Sequence, residues 1–164
     1  LDIQSKLESN LEVLKKSFST NGLLAYKIEN LVGELEELAN EYLAELSDGR
    51  FTLEFVVSND KLNVQITDNG NIVDILALSS GELARVNTAT LIAIRKLMSS
   101  ISKSRINVLF LDEVIGVLDD VGREKLVEVL LGEELNTYVV SHGWTHPLLE
   151  KIEVVKNGNV SGLE

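Results

Sequence analysis

The sequence predicts an α/β fold, on two observations. The hydrophobic period changes from helical to alternating near residue 51 and back to helical near residue 81, and a later apolar run, Ile106 to Leu111, ends on two adjacent carboxylates. In the first segment Ile3, Leu7, Leu11, Leu14 and Phe18 recur at steps of four and three, until Ser19-Thr20-Asn21-Gly22 ends the pattern. A seam this short fits an amphipathic helix on a core and the stump of a longer coiled coil alike. A second helix carries Ile28, Leu31, Leu35, Leu38, Tyr42 and Leu46 on one face, with Glu34, Glu36, Glu37 and Glu41 mostly outside. It stops at Ser47-Asp48-Gly49.

Alternation then sets in. Phe51, Leu53, Phe55 and Val57 face one way, followed by Leu62, Val64 and Ile66, and Asp68-Asn69-Gly70 offers a tight hairpin before Ile72, Val73 and Ile75. This predicts an antiparallel meander with one buried face. From Gly81, Val86, Ala89, Ala93 and Leu97 form a helical stripe. The run Ile106 to Leu111 predicts a central strand covered on both faces. A helix over about 122–131 and a strand over 137–140 complete an αβ repeat. The tail, 152–160, reads as a hairpin turning at Asn157-Gly158.

Composition narrows the function classes. With 164 residues the chain holds one domain with a real core, and 45% apolar with 25% charged residues is ordinary for a globular protein. No apolar run approaches the roughly 18 residues that span a bilayer, and no signal-peptide pattern opens the chain, so no membrane partner is expected. The absence of cysteine excludes disulfides and thiolate metal sites. These features predict a cytoplasmic protein. A net charge of −11 repels phosphate backbones over most of the surface, which argues against a dedicated nucleic-acid reader. Arg95, Lys96, Lys103 and Arg105 are the local exception, readable as a solvated helix end or as a DNA contact. Because it opens on Leu1 in mid-pattern, the chain reads as a piece of a longer polypeptide.

Three segments carry chemistry. Leu78-Ser79-Ser80-Gly81-Glu82 is a small-residue turn entering a helix, where unpaired N–H groups, the helix dipole and serine hydroxyls together suit an anion; the plainer reading is a serine helix cap. Asp112 and Glu113 follow the apolar strand, at the edge where α/β ligand sites lie. Asp112 suits Mg²⁺, a hard cation that wants oxygen ligands, and Glu113 suits orienting or deprotonating a water; an acidic helix cap is the alternative. His142 follows a second strand end, where it suits donation to a γ-phosphate or serves as an ordinary loop residue. Trp144, His146 and Pro147 suggest no role, and His146 reads as structural.

Together the segments resemble a known set in the family order. Leu78 to Glu82 is similar to the ABC signature, Leu111-Asp112-Glu113 to Walker B, Leu118-Asp119 to the D-loop, and Val140-Ser141-His142 to the switch-histidine loop. The flanks Tyr26-Lys27-Ile28-Glu29, Ala39-Asn40-Glu41-Tyr42-Leu43 and Leu46-Ser47-Asp48-Gly49-Arg50-Phe51 resemble the SbcC-type repair ATPases, and the short loops resemble the phage recombination-nuclease subunits most. The resemblance implies the C-terminal lobe of an ABC-type ATPase head, a P-loop NTPase-like sheet with flanking helices, over residues 21–164, with residues 1–20 as the base of a coiled coil.

It further implies ATP and Mg²⁺, with Asp112 near the metal, Glu113 as catalytic base and His142 on the γ-phosphate. Ser79, Ser80, Gly81 and Glu82 would close over the nucleotide from a second head of a homodimer, with Asp119 crossing beside them. Arg85 would carry nucleotide state toward the coiled coil, or form a plain surface ion pair. Other implied partners are the chain's own N-terminal Walker A lobe, a nuclease subunit, and DNA through the assembled complex, in a bacterial or phage-infected cytoplasm at the nucleoid. None of the eleven glycines precedes a lysine, so the phosphate loop G-x-x-x-x-G-K-[ST] is absent, and this chain alone is expected to turn over little or no ATP. Ser80 stands where the family signature usually has glycine. A chromosome-organising SMC head and a non-catalytic coiled-coil interaction domain are the competing readings.

Overall fold

A computed structural model describes residues 2–17, 23–58, 61–102 and 107–163. The order is α1 (Asp2–Ser17), α2 (Leu23–Ser47), β1 (Phe51–Ser58), β2 (Lys61–Asp68), β3 (Asn71–Val73), a 3₁₀ turn (Ile75–Ala77) and α3 (Ser80–Ile101). There follow β4 (Val108–Asp112), α4 (Val114–Val117), α5 (Asp120–Gly132), β5 (Asn136–Val140), β6 (Val154–Asn157) and β7 (Val160–Leu163). Phe18, the turn 19–22, Lys103, Arg105 and Ile106, all singled out in the sequence, lie outside the described residues.

The meander forms as expected, in the antiparallel order β1-β2-β3. Asn69 and Gly70 take the left-handed conformation, φ 48° and 81°, that lets a two-residue turn match strand twist. The register sets Leu53 against Ile66, and Phe51, Leu53 and Ile66 are all buried in the core that α2 packs onto β1. Ile75 leaves the strand for the 3₁₀ turn, because the Asp74 carboxylate accepts from the Leu76 amide and ends β3 at Val73. An open strand edge exposes unpaired amides. On β1 these are met by α2 side chains: Asn40 donates to and accepts from the Leu53 backbone at 2.8 Å each, and Glu36 accepts from the Phe55 amide at 2.7 Å.

The second half of α2 is the central beam. Ala39, Tyr42, Leu43 and Leu46 are buried, whereas Tyr26 and Ile28 in its first half are exposed. On α3 the stripe Val86, Ala89, Ala93 and Leu97 is buried as predicted, joined by Ile92. At the far end Tyr42 donates to Glu133 at 2.5 Å while Arg95 and Lys96 reach the same carboxylate at 3.0 and 3.4 Å. Burial and the facing Glu133 push the Tyr42 hydroxyl up to about 12, so it stays a donor. Arg95 and Lys96 are thus tied into the fold and do not form a free basic patch.

β4 and β5 pair in parallel, Leu111 beside Val139 and Asp112 beside Val140. The expected burial of both faces is corrected here. Leu109 and Leu111 face the core and α5's Leu126 and Leu130, but Phe110 is 66% exposed and Val108, Tyr138 and Val140 are exposed with it. Among the described residues nothing covers that face. The tail hairpin turns at Gly158-Asn159, since Asn157 already pairs with Val160.

Candidate nucleotide site

Parallel pairing puts the C-terminal ends of β4 and β5 at one edge, and this brings Glu113 and His142 together. Glu113 Oε1 lies 3.8 Å from His142 Nε2, with the side chains 76% and 90% exposed. Glu113 turns the chain from β4 into α4 with φ 57°, in the left-handed region where a side chain costs about 1–2 kcal/mol. Two backbone bonds hold it there: its amide donates to Val140 O at 3.3 Å, and its carbonyl accepts from Gly116 at 3.2 Å. Non-glycine strain of this kind concentrates at functional positions.

Asp112 is exposed at the strand end, and no hydrogen bond or ion pair engages its carboxylate among the described residues. No group of three metal-ligating side chains occurs among the described residues. A lone free carboxylate fits Mg²⁺, which is commonly held by one or two protein oxygens with substrate phosphates and waters completing its shell.

The turn at Ser79 is a complete capping box. Ser79 Oγ accepts from the Glu82 amide at 3.3 Å, and Glu82 Oε2 accepts from the Ser79 amide at 2.8 Å. Those bonds, from the Ser79 backbone first, hold the Glu82 carboxyl below its ordinary range. Glu82 therefore holds the turn together and is not presented outward. The groups left to face a ligand are the Ser80 and Gly81 amides, which have no intrahelical acceptor, and the hydroxyls of Ser79 and Ser80. Ser80 begins α3 with negative φ, so serine fits where the family signature usually has glycine. Gly81 is required by a close approach: a Cβ there would lie 2.8 Å from the Val117 carbonyl oxygen.

Asp119 caps α5 by accepting from the Gly122 amide at 2.9 Å, and it accepts from Arg85 Nη2 at 2.5 Å. The Gly122 amide, then Arg85, hold its carboxyl below the ordinary range. Arg85 thus joins the helix of the Ser79 turn to the segment after Asp112-Glu113 within one chain, a contact that spacing alone did not disclose.

The sequence did not disclose a role for Trp144 and His146. The His146 ring stacks on Trp144 at 5.9 Å, accepts from the Leu148 amide at Nδ1, and sits 3.1 Å from Glu124 at Nε2. With both nitrogens engaged, His146 anchors the loop that follows His142.

No family model matches the chain. It is 46% identical over 158 residues, 96% of its length, to a probable exonuclease subunit 2 of Escherichia phage T5, and spans 26% of that protein. Among solved structures it resembles an SMC ATPase studied for ATP-driven dimerisation and DNA-stimulated activation (TM-score 0.65, 18% identity, 85% of this chain and 87% of that one). It also resembles the Smc head domain with coiled coil and joint from Pyrococcus yayanosii (TM-score 0.67, 17% identity, 99% of this chain and 32% of that one). At such identities the solved structures establish the fold, that of an SMC ATPase head, and the phage relative supplies the sequence relationship. The chain therefore has the fold of SMC ATPase heads and is similar, over 96% of its own length, to 26% of a probable exonuclease subunit of a phage.

Proposed function

We propose that this chain supplies the hydrolytic edge and the signature turn of an ATP-hydrolysing head that works with a nuclease subunit in DNA double-strand-break processing. The single observation that carries the reading is the pairing of Glu113 with His142 at one sheet edge, next to a free Asp112. In this reading ATP rests on a Walker A loop contributed by an N-terminal lobe. The exposed face of β4 and β5 supports such a lobe, because a parallel sheet is ordinarily covered on both sides.

Glu113 orients and deprotonates the attacking water, and His142 donates to the γ-phosphate. Asp112 would hold Mg²⁺, which would supply charge neutralisation to the phosphates. From a second head, Ser80 and Gly81 present their amides, and Ser79 its hydroxyl, to that γ-phosphate, with Asp119 beside them. Bound nucleotide then favours the closed pair of heads, and hydrolysis removes the contact that distinguishes closed from open. Residues 1–20 form the base of a coiled coil, in keeping with the exposure of Leu11 and Leu14 on α1 and of Tyr26 and Ile28 on α2. The nuclease role rests on the name of the phage relative, and DNA would be met through the assembled complex.

Glu113→Gln tests this. In the complete head it should cut ATP turnover by about 10² to 10⁴-fold, the usual contribution of a general base, and accumulate an ATP-bound dimer. Undiminished turnover, or a variant that stays monomeric with ATP, would contradict the assignment.

A further inference from the structure

The capping box at Ser79 has an outside support. Glu82 uses Oε2 for the Ser79 amide, and its other oxygen, Oε1, meets Arg50 Nη1 at 2.8 Å. The rest of that guanidinium is committed to β2: Nε donates to Asp68 Oδ1 at 2.9 Å and Nη2 to Asp68 Oδ2 at 2.7 Å. Arg50 is fixed in turn. Its amide donates to Ser47 O at 3.1 Å, its carbonyl accepts from Asn69 at 2.9 Å, and its guanidinium lies 4.5 Å from the ring centre of buried Phe51. One planar fork therefore connects the corner where α2 meets the meander to the first amide of the α3 turn.

We propose that Arg50 is a positioning residue for the anion-facing turn Ser79-Ser80-Gly81, bracing it through Glu82 against the meander. This rests on the reading that the turn closes over nucleotide. A capping box alone ties Glu82 to Ser79 through one oxygen and leaves the carboxylate free to rotate about that contact. Arg50 takes the second oxygen while Asp68 fixes Arg50 in its plane. The guanidinium grips Asp68 with two parallel bonds while a third nitrogen meets Glu82, a planar arrangement that a lysine ammonium, with no rigid fork, does not reproduce.

The pair has a plainer possible value, as a surface ion bridge, because the Arg50 side chain is 44% exposed. Such bridges add little to global stability. A bracing role differs in where its effect appears: small in the fold as a whole, larger wherever the turn must meet a ligand, because a displacement of about 1 Å can cost up to 10²-fold.

The experiment compares Arg50→Ala, Arg50→Lys and Glu82→Gln with the parent in the complete head. Peptide-resolved amide exchange over 78–83 should quicken roughly two- to fivefold in Arg50→Ala, with the middle of α3, 88–94, unchanged. ATP-dependent dimerisation should weaken about tenfold, while nucleotide affinity of the single head stays within about twofold. Arg50→Lys should not restore dimerisation. Glu82→Gln, which keeps the capping box, should match Arg50→Ala and add nothing when combined with it. A parent that dimerises alongside equally competent Arg50→Ala and Arg50→Lys variants would overturn the proposal. So would exchange that quickens equally along the whole of α3. A parent that fails to dimerise with ATP would instead count against the functional reading, and the exchange comparison would still decide whether Arg50 braces the turn.

Discussion

On one side of the core, α2, the meander and α3 enclose their apolar residues, so that Leu43, Phe51, Ile66 and Ile92 are each almost wholly hidden. On the other, β4 and β5 shield Leu109 and Leu111 on one face and leave Val108, Phe110, Tyr138 and Val140 open on the other. Phe110 and Tyr138 stack together at 5.0 Å, an aromatic pair with solvent on its outer side. The first region is complete within the chain. The second has the composition of a buried strand pair with half its cover missing, and Asp112, Glu113 and His142 stand at the edge of this second region.

The difference is open to direct test. The largest effect should come from the closed side: Ile92→Ala should cost about 2–5 kcal/mol of stability in chemical denaturation, as truncation in a filled core does. A loss under about 1 kcal/mol would mean that α3 is not seated as described.

On the open side Phe110→Ser should cost the chain itself only about 0.5–1.5 kcal/mol, the worth of its stack on Tyr138. The same change should weaken association with the proposed N-terminal lobe by about 2 kcal/mol, the scale of an aromatic anchor at an interface. Titration calorimetry of the two lobes reads that loss, and unaltered affinity would remove the open face from the interface.

The smallest effect is a gain. Glu113→Gly relieves the left-handed backbone and should stabilise the chain by about 1 kcal/mol while destroying the carboxylate's role. No gain would mean that position 113 is unstrained.

How much of this was legible in the sequence follows the range of each interaction. Period located the meander, because Phe51, Leu53 and Ile66 alternate with polar residues, and the Asn69-Gly70 turn from β2 to β3 is local chemistry. It also placed Val86, Ala89, Ala93 and Leu97, since a helical stripe against a core is a single-element property. Glu113 and His142, far apart in the chain, lie close together because the two strands are parallel.

What could not be read were contacts between elements. Nothing in the spacing of Arg50, Asp68 and Glu82 discloses that one guanidinium joins them, nor that a Cβ at Gly81 would meet the Val117 carbonyl. The apolar run over 106–111 predicts a strand buried on both faces, because hydropathy records what a strand is built to meet. It does not record whether the covering surface lies in the same chain. The basic residues Arg95 and Lys96 looked like a surface cluster for a similar reason: their partners, Tyr42 and Glu133, come from helices before and after.

The central claim is that this chain carries the hydrolytic residues and depends on a second lobe for its grip on the triphosphate. ATP turnover measured on the purified chain, on the N-terminal lobe, and on the two mixed tests it most directly. The account predicts no turnover from either alone and turnover on mixing that Glu113→Gln lowers by about 10² to 10⁴-fold. Turnover by this chain alone, or by a mixture indifferent to Glu113→Gln, would contradict it.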